Sequence, residues 1–335
     1  MALERVSINN LAQPGKGQSI LTGEHMASIL PPKLSLGDTI GVIAPSDPVF
    51  PDQVEKLQAG IDYLEAQGFK VKTGAYLTAS TLGYAATPQE KAEDINRMFA
   101  DPKIKAIICA QGGDSANAPL EWIDWEIIRQ NPKIFLGLSD ITVLLNAIYH
   151  HTGLVTFHGN DMLWGFGNNL DDYERREFLR TLVNGLVGPI PANRTRICMR
   201  GGQAQGKLLG GNLRCLLKLA GTPHWPDFAN SILFVEAYEI SPTACHTAFH
   251  QLHQMGIFHQ VRGAVVGYIY SMQHRNTPRP HMEDVLLEVS QDFHFPILKM
   301  NEFGHNCPNT VLPVGGEVFL DADQGSLTVT SPVVK

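Results

Sequence analysis

Residues 104–117, IKAIICAQGGDSAN, hold the first group of residues whose types and spacing suit chemistry. An apolar, β-branched run ends at Cys109, and Gly112 and Gly113 then allow backbone conformations that a side chain forbids. A strand that turns sharply through glycine into a helix sets backbone N–H groups and one side chain at the carboxyl edge of a sheet, where open α/β sheets bind and react. Such a turn can cradle a phosphate or present a nucleophile, and Ser115 is its only hydroxyl. Elsewhere, Glu236 follows the apolar run ILFV and reads on its own as a strand-end carboxylate, while His305 in GHNCP reads as a turn histidine. His246, His250 and His253 fall at helical spacing, but no fourth ligand accompanies them; a polar helix face accounts for them, and no metal is expected. Trp164 lies in the Gly- and Asn-rich segment DMLWGFGNN, where an aromatic ring either walls a substrate or anchors a loop.

The elements that must position these residues alternate. Strands are expected over 39–44, 69–73, 104–109, 133–137 and 155–158, and helices over 54–67, 87–99, 120–128 and 139–151. That order predicts a flavodoxin-like, three-layer domain with a parallel sheet. A polar arm (1–30) precedes this domain (31–165), and a linker and loop segment (166–205) follows it. The remainder (206–335) predicts a second α/β domain: GKLLGGNLRCLLKLAGTP as a glycine turn into a helix, strands over 232–235 and 264–268, and helices over 243–255 and 282–289. A turn over 303–308 and an antiparallel hairpin over 318–329 complete it.

Composition narrows the partners. A chain of 335 residues with 44% hydrophobic content can fill two cores. A net charge of −7 and a pI near 6.0 argue against nucleic acid and anionic membranes, which need a positive field. The five cysteines lack CxxC spacing, no stretch reaches the roughly 20 apolar residues of a membrane span, and no signal-peptide pattern opens the chain, so a cytoplasmic protein is expected.

The motifs GDTIGVIAPS, CAQGGDSANAPLEWIDW, KIFLGLSDITVLL, GGNLRCLLKLAGTP, ILFVEAYE and GHNCPNTVLPVG, in this order over about residues 31–330, resemble the LD-carboxypeptidase family of serine peptidases. That family includes murein tetrapeptide carboxypeptidases and microcin C immunity peptidases. The resemblance implies a Ser-Glu-His triad, with Glu236 and His305 as its last two members and the nucleophile position at Ala116. An imidazole activates the hydroxyl and a carboxylate fixes the imidazole's tautomer; a methyl group cannot attack a carbonyl. The chain is therefore expected to be inactive by this mechanism, either as an inactivated variant or as a silent homologue that binds a small ligand. Ser115, one position away on a tight turn, should point elsewhere.

Backbone N–H groups of Gly113 and Asn117 are expected at the oxyanion, with Asp114 and Trp164 beside the substrate. The resemblance further implies no cofactor, a homodimer, and a small peptide or aminoacyl-nucleotide-like substrate bound between the domains. The segment FHGNDMLWGFGNN leans toward the immunity branch. A nucleotide-binding flavodoxin-like module, using the GGDS turn for phosphate, is the remaining alternative.

Overall fold

Short aliphatic runs build the first sheet: β1 (Thr39–Ile43), β2 (Lys70–Thr73), β3 (Ile104–Cys109), β4 (Ile134–Gly137) and β5 (Thr156–His158). In the computed structural model, which describes residues 28–335, these strands pair in parallel in the order β5-β4-β3-β1-β2. The arm expected over 1–30 lies, through residue 27, outside the described residues. In β3, Ala106 to Cys109 are consecutive and all buried, so both faces of the central strand are covered.

The helices are α1 (Val54–Ala66), α2 (Pro88–Ala100), α3 (Trp125–Gln130) and α4 (Thr142–Thr152). Helix α2 starts where Thr87 Oγ accepts the Glu90 N–H and Glu90 accepts the Thr87 N–H in return, with Pro88 preset for the first turn. The single helix expected over 120–128 is instead a 3₁₀ turn, Ala118–Trp122, a break, and then α3. Asp124 causes the break: its carboxylate accepts the N–H groups of Glu126 and Ile127, a better use of aspartate than a helix interior.

The second sheet is mixed. Its strands β6 (Gly188–Pro189), β7 (Ile197–Arg200), β8 (Gln203–Asn212), β9 (Ser231–Ala237), β10 (Gly263–Ile269) and β11 (Ile297–Gly304) precede β12 (Leu312–Val314), which belongs elsewhere, and the hairpin β13 (Glu317–Asp321) and β14 (Ser326–Val329). The order is β6-β14-β13-β8-β9-β10-β11-β7, with β8 to β11 parallel and the flanking strands antiparallel. The molecule is thus a two-domain α/β protein.

Three features differ from the sequence expectation. GKLLGGN is strand, not turn, and only Leu213–Leu216 is α-helical there before a short 3₁₀ turn. Gly210, at φ +136°, serves close backbone approach: a Cβ there would stand 1.9 Å from the Phe234 carbonyl oxygen on β9. Strand β11 was hidden because Lys299 and Glu302 interrupt its apolar run. Both are buried yet satisfied: Lys299 Nζ donates to Gly267 O and to Gln273 Oε1, and Glu302 accepts from Asn193, Arg194 and Arg196. Finally, β12 crosses back and pairs antiparallel with β5, giving the first sheet six strands. Among the described residues, no helix is long and apolar enough to cross a membrane.

Candidate active site

A cleft of about 910 Å³ lies where the loops after β3, β4 and β5 meet the ends of β8, β9 and β11. This is the carboxyl edge of both parallel arrays, where strand ends leave backbone groups and loop side chains free to bind.

The glycine turn after β3 lies on the first-domain side. Gly113 holds φ +142°, and a Cβ there would stand 2.2 Å from the Asp47 carboxylate, so only glycine fits. Ala116 is fully buried, and its N–H donates 2.8 Å to Asp140 Oδ2. The same oxygen accepts Ser46 Oγ at 2.7 Å, while Oδ1 accepts Lys218 Nζ at 2.6 Å. Lys218, from the second domain, also donates to the Asp114 carbonyl, so one buried carboxylate and one lysine clasp the turn from both domains. Burial alone would lower the Lys218 pKa, but the bond to Asp140 outweighs it and raises the net value. Ser115 Oγ takes a 2.6 Å bond from Lys91 Nζ.

The facing wall carries an ion pair. Glu236, near the end of β9, is fully buried, and its Oε2 accepts a 2.7 Å bond from His305 Nδ1 just beyond β11. Since the carboxylate can only accept, Nδ1 carries the proton and Nε2 is the ring's basic nitrogen. Burial would push the His305 pKa down, but the Glu236 charge and bond prevail and raise it above 6.5. Burial likewise opposes the charge on Glu236, and His305 outweighs it, leaving the carboxyl below its usual 4.5. An NMR titration of His305 should therefore show a midpoint above 6.5. Glu236→Gln should move that midpoint down, because the burial remains when the charge goes; an unmoved midpoint would refute this account of the pair.

Gly113, Asp114, Trp164 and His305 all line the cleft. Ala116 and Asn117 do not: Ala116 is fully buried in the turn, and Asn117 stands at the start of the 3₁₀ segment with its side chain exposed. Trp164 is held on three sides, by Lys56 Nζ 3.6 Å over its ring, by Gln111 Oε1 accepting from Nε1 at 3.2 Å, and by Asp161 Oδ1 accepting its backbone N–H at 2.7 Å. Phe166, two residues on, is a buried anchor packed on Tyr63 and Phe178. Of the three helix histidines, His253 stacks on Phe258, while His246 and His250 meet each other at an exposed surface. Among the described residues, no group of three His, Cys, Asp or Glu side chains is arranged to hold a metal.

Sequence reasoning missed Asp140 as the turn's clasp, together with Lys218, His158 and Asp161. Asp161 lines the cleft although it is almost wholly buried, and that burial raises its pKa to about 7. Asp140, His158 and Asp161 follow a strand or sit at its end, so a polar residue just after an apolar run was the available signal for them; Lys218 lies in the 3₁₀ turn after Leu213–Leu216 and carries no such signal.

Comparison with known proteins places this geometry in context. The model of the LD-carboxypeptidase N-terminal domain matches residues 40–159, and that of the LD-carboxypeptidase C-terminal domain matches 205–320. A probable murein peptide carboxypeptidase of Bacillus subtilis is 31% identical over 93% of this chain and 98% of its own length. The microcin C7 self-immunity protein MccF of Escherichia coli is 29% identical over 90% of this chain and 96% of its own. A solved structure of MccF with glutamyl sulfamoyl guanosine superposes with a TM-score of 0.84 at 27% identity, covering 91% of this chain and 99% of that one.

Proposed function

The chain belongs to the LD-carboxypeptidase family of serine-type hydrolases, and from that premise we propose that its cleft is built to hydrolyse a small peptide or aminoacyl-nucleotide-like amide, with Ala116 standing at the nucleophile position. The observation that carries this reading is the Glu236–His305 pair, bonded at 2.7 Å at the edge of the cleft. With a serine at 116, His305 Nε2 takes the hydroxyl proton as Oγ attacks the substrate carbonyl. Glu236 stabilises the imidazolium so formed. The Gly113 N–H, at the cleft surface, supports the oxyanion. His305 then protonates the departing amine, leaving an acyl-serine that water cleaves by the same steps in reverse roles.

Two features favour a substrate with a carboxylate or phosphate-like group and a planar ring. Arg214 is exposed and lines the cleft, suited to a bidentate bond with an oxyanion. Trp164 is 49% exposed with Lys56 over its ring, a preorganised surface for stacking. MccF, whose structure with an aminoacyl sulfamoyl nucleotide this chain resembles, offers a ligand of that kind. The homodimer and the cytoplasmic setting belong to the same proposal, the first checked by light scattering. A second reading, a silent binding protein, is favoured by Ala116 itself.

The test is Ala116→Ser, with murein peptides and aminoacyl-sulfamoyl nucleotides offered as substrates and products read by mass spectrometry. Hydrolysis supports the enzyme reading. No product from any substrate, with calorimetric binding retained, supports the silent reading. In the active serine form, Trp164→Ala should weaken the ring-bearing substrate by roughly 10-fold, the loss of about 1–3 kcal/mol of stacking, while peptides lacking a ring change little. An unchanged ratio between the two classes would refute the stacking role.

A further inference from the structure

His158, the last residue of β5, is fully buried, and neither ring nitrogen has a hydrogen-bond partner among the described residues. Its backbone is fixed on both sides, by Gly137 of β4 and Leu312 of β12. The ring projects from the first domain into the second, edge-on to Phe234 at 5.3 Å and to Phe303 at 6.1 Å. Phe234 is two residues before Glu236 on β9, so the two side chains share a face; Phe303 stands two before His305. The ring therefore lies against the face of β9 that carries Glu236.

Glu236 presents a matching want. Its Oε2 is bonded to His305, but Oε1 is buried with no partner that meets hydrogen-bond geometry. Asn212 lies beside this carboxylate and favours its charged form, yet its amide oxygen is spent on the Cys215 N–H and the residue lines the cleft, where its N–H groups can serve substrate. Burial holds the His158 ring neutral down to about pH 4, so it has one N–H donor and one acceptor. Buried polar atoms without partners are rare because each costs about 1–3 kcal/mol. A buried donor and a buried acceptor orphaned on the same face of β9 are best satisfied by each other.

We propose that His158 is a positioning residue of this site, its ring N–H bonding Glu236 Oε1 so that the carboxylate is held from below while Oε2 holds His305. The strand pairing that fixes His158 thereby couples the first domain's sheet to the orientation of the second domain's acid–base pair. The inference rests on the role proposed above for Glu236 and His305.

Its first test needs no turnover and uses the chain with Ala116 in place. Proton–nitrogen NMR should show one slowly exchanging, downfield His158 ring proton that shifts on Glu236→Gln; a proton indifferent to Glu236→Gln overturns the proposal. The second test uses Ala116→Ser. His158→Leu and His158→Phe, which keep only the packing, should lower kcat about 10-fold or more with KM unchanged, as losing an outer partner of a site residue does. His158→Asn or His158→Gln should recover activity by supplying an N–H. A packing role predicts the reverse order, since a buried amide without a partner is worse than a hydrocarbon. If Ala116→Ser gives no hydrolysis, the ring-proton measurement still decides the point.

Discussion

Ala116→Ser is expected to give triad hydrolysis, since position 116 is the nucleophile position proposed above and carries a methyl group. Covalent catalysis requires an attacking oxygen, and the Glu236–His305 pair that would activate one is already bonded. The serine form should exceed the alanine form by about 10³-fold or more on its proper substrate. In that background, Glu236→Gln and His305→Ala should each remove most of the gain, and removing both should cost little more than removing one, because the three groups act as a unit. Ser115→Ala should leave the rate unchanged, since the Ser115 hydroxyl is bonded to Lys91. Serine-form activity that survives His305→Ala would overturn the triad. The alanine form, retaining Gly113 and the cleft, should still bind the intact substrate in calorimetry.

The parallel sheet was legible because burial on both faces leaves an unbroken aliphatic run, as in residues 104–109, and because caps such as Thr87 with Glu90 are local. The second sheet was less so. Lys299 and Glu302 break the apolar run of β11, and only the partners supplied by distant segments, Gly267, Gln273 and residues 193–196, make those polar groups tolerable inside it. Glycines misled for a related reason: at 210 the need is close approach to Phe234 on β9, a contact between separate strands that local sequence cannot encode. At the site, Glu236 and His305 were named from motifs and prove to be bonded to each other. Ala116 and Gly113 lie on the turn after β3, and what holds that turn comes from residues 46, 140 and 218, far apart in sequence.

That clasp should carry the largest stability effect near the cleft. Asp140 is fully buried and accepts three bonds, from Ala116 N–H, Ser46 Oγ and Lys218 Nζ. Asp140→Ala leaves the Ala116 N–H and the Ser46 hydroxyl without an acceptor, and leaves Lys218, only 23% exposed, with the Asp114 carbonyl and the more distant, exposed Asp114 carboxylate alone. Breaking a buried pair in this way costs about 3–5 kcal/mol, and the partial exposure of Lys218 puts this case toward the lower end, about 3 kcal/mol. Asp140→Asn is milder but not neutral, because its amide N–H₂ group must face one of the donors. The loss should appear as a lower urea midpoint with little change in slope. Removing the orphaned charge as well, with Asp140→Ala and Lys218→Met together, should be less destabilising than the sum of the two single changes, which is the mark of direct coupling. In the serine form, Asp140→Ala should also abolish activity where the fold survives, because residue 116 loses the bond from its backbone N–H that holds it in place. An Asp140→Ala chain within about 0.5 kcal/mol of the parent would show that the clasp holds nothing.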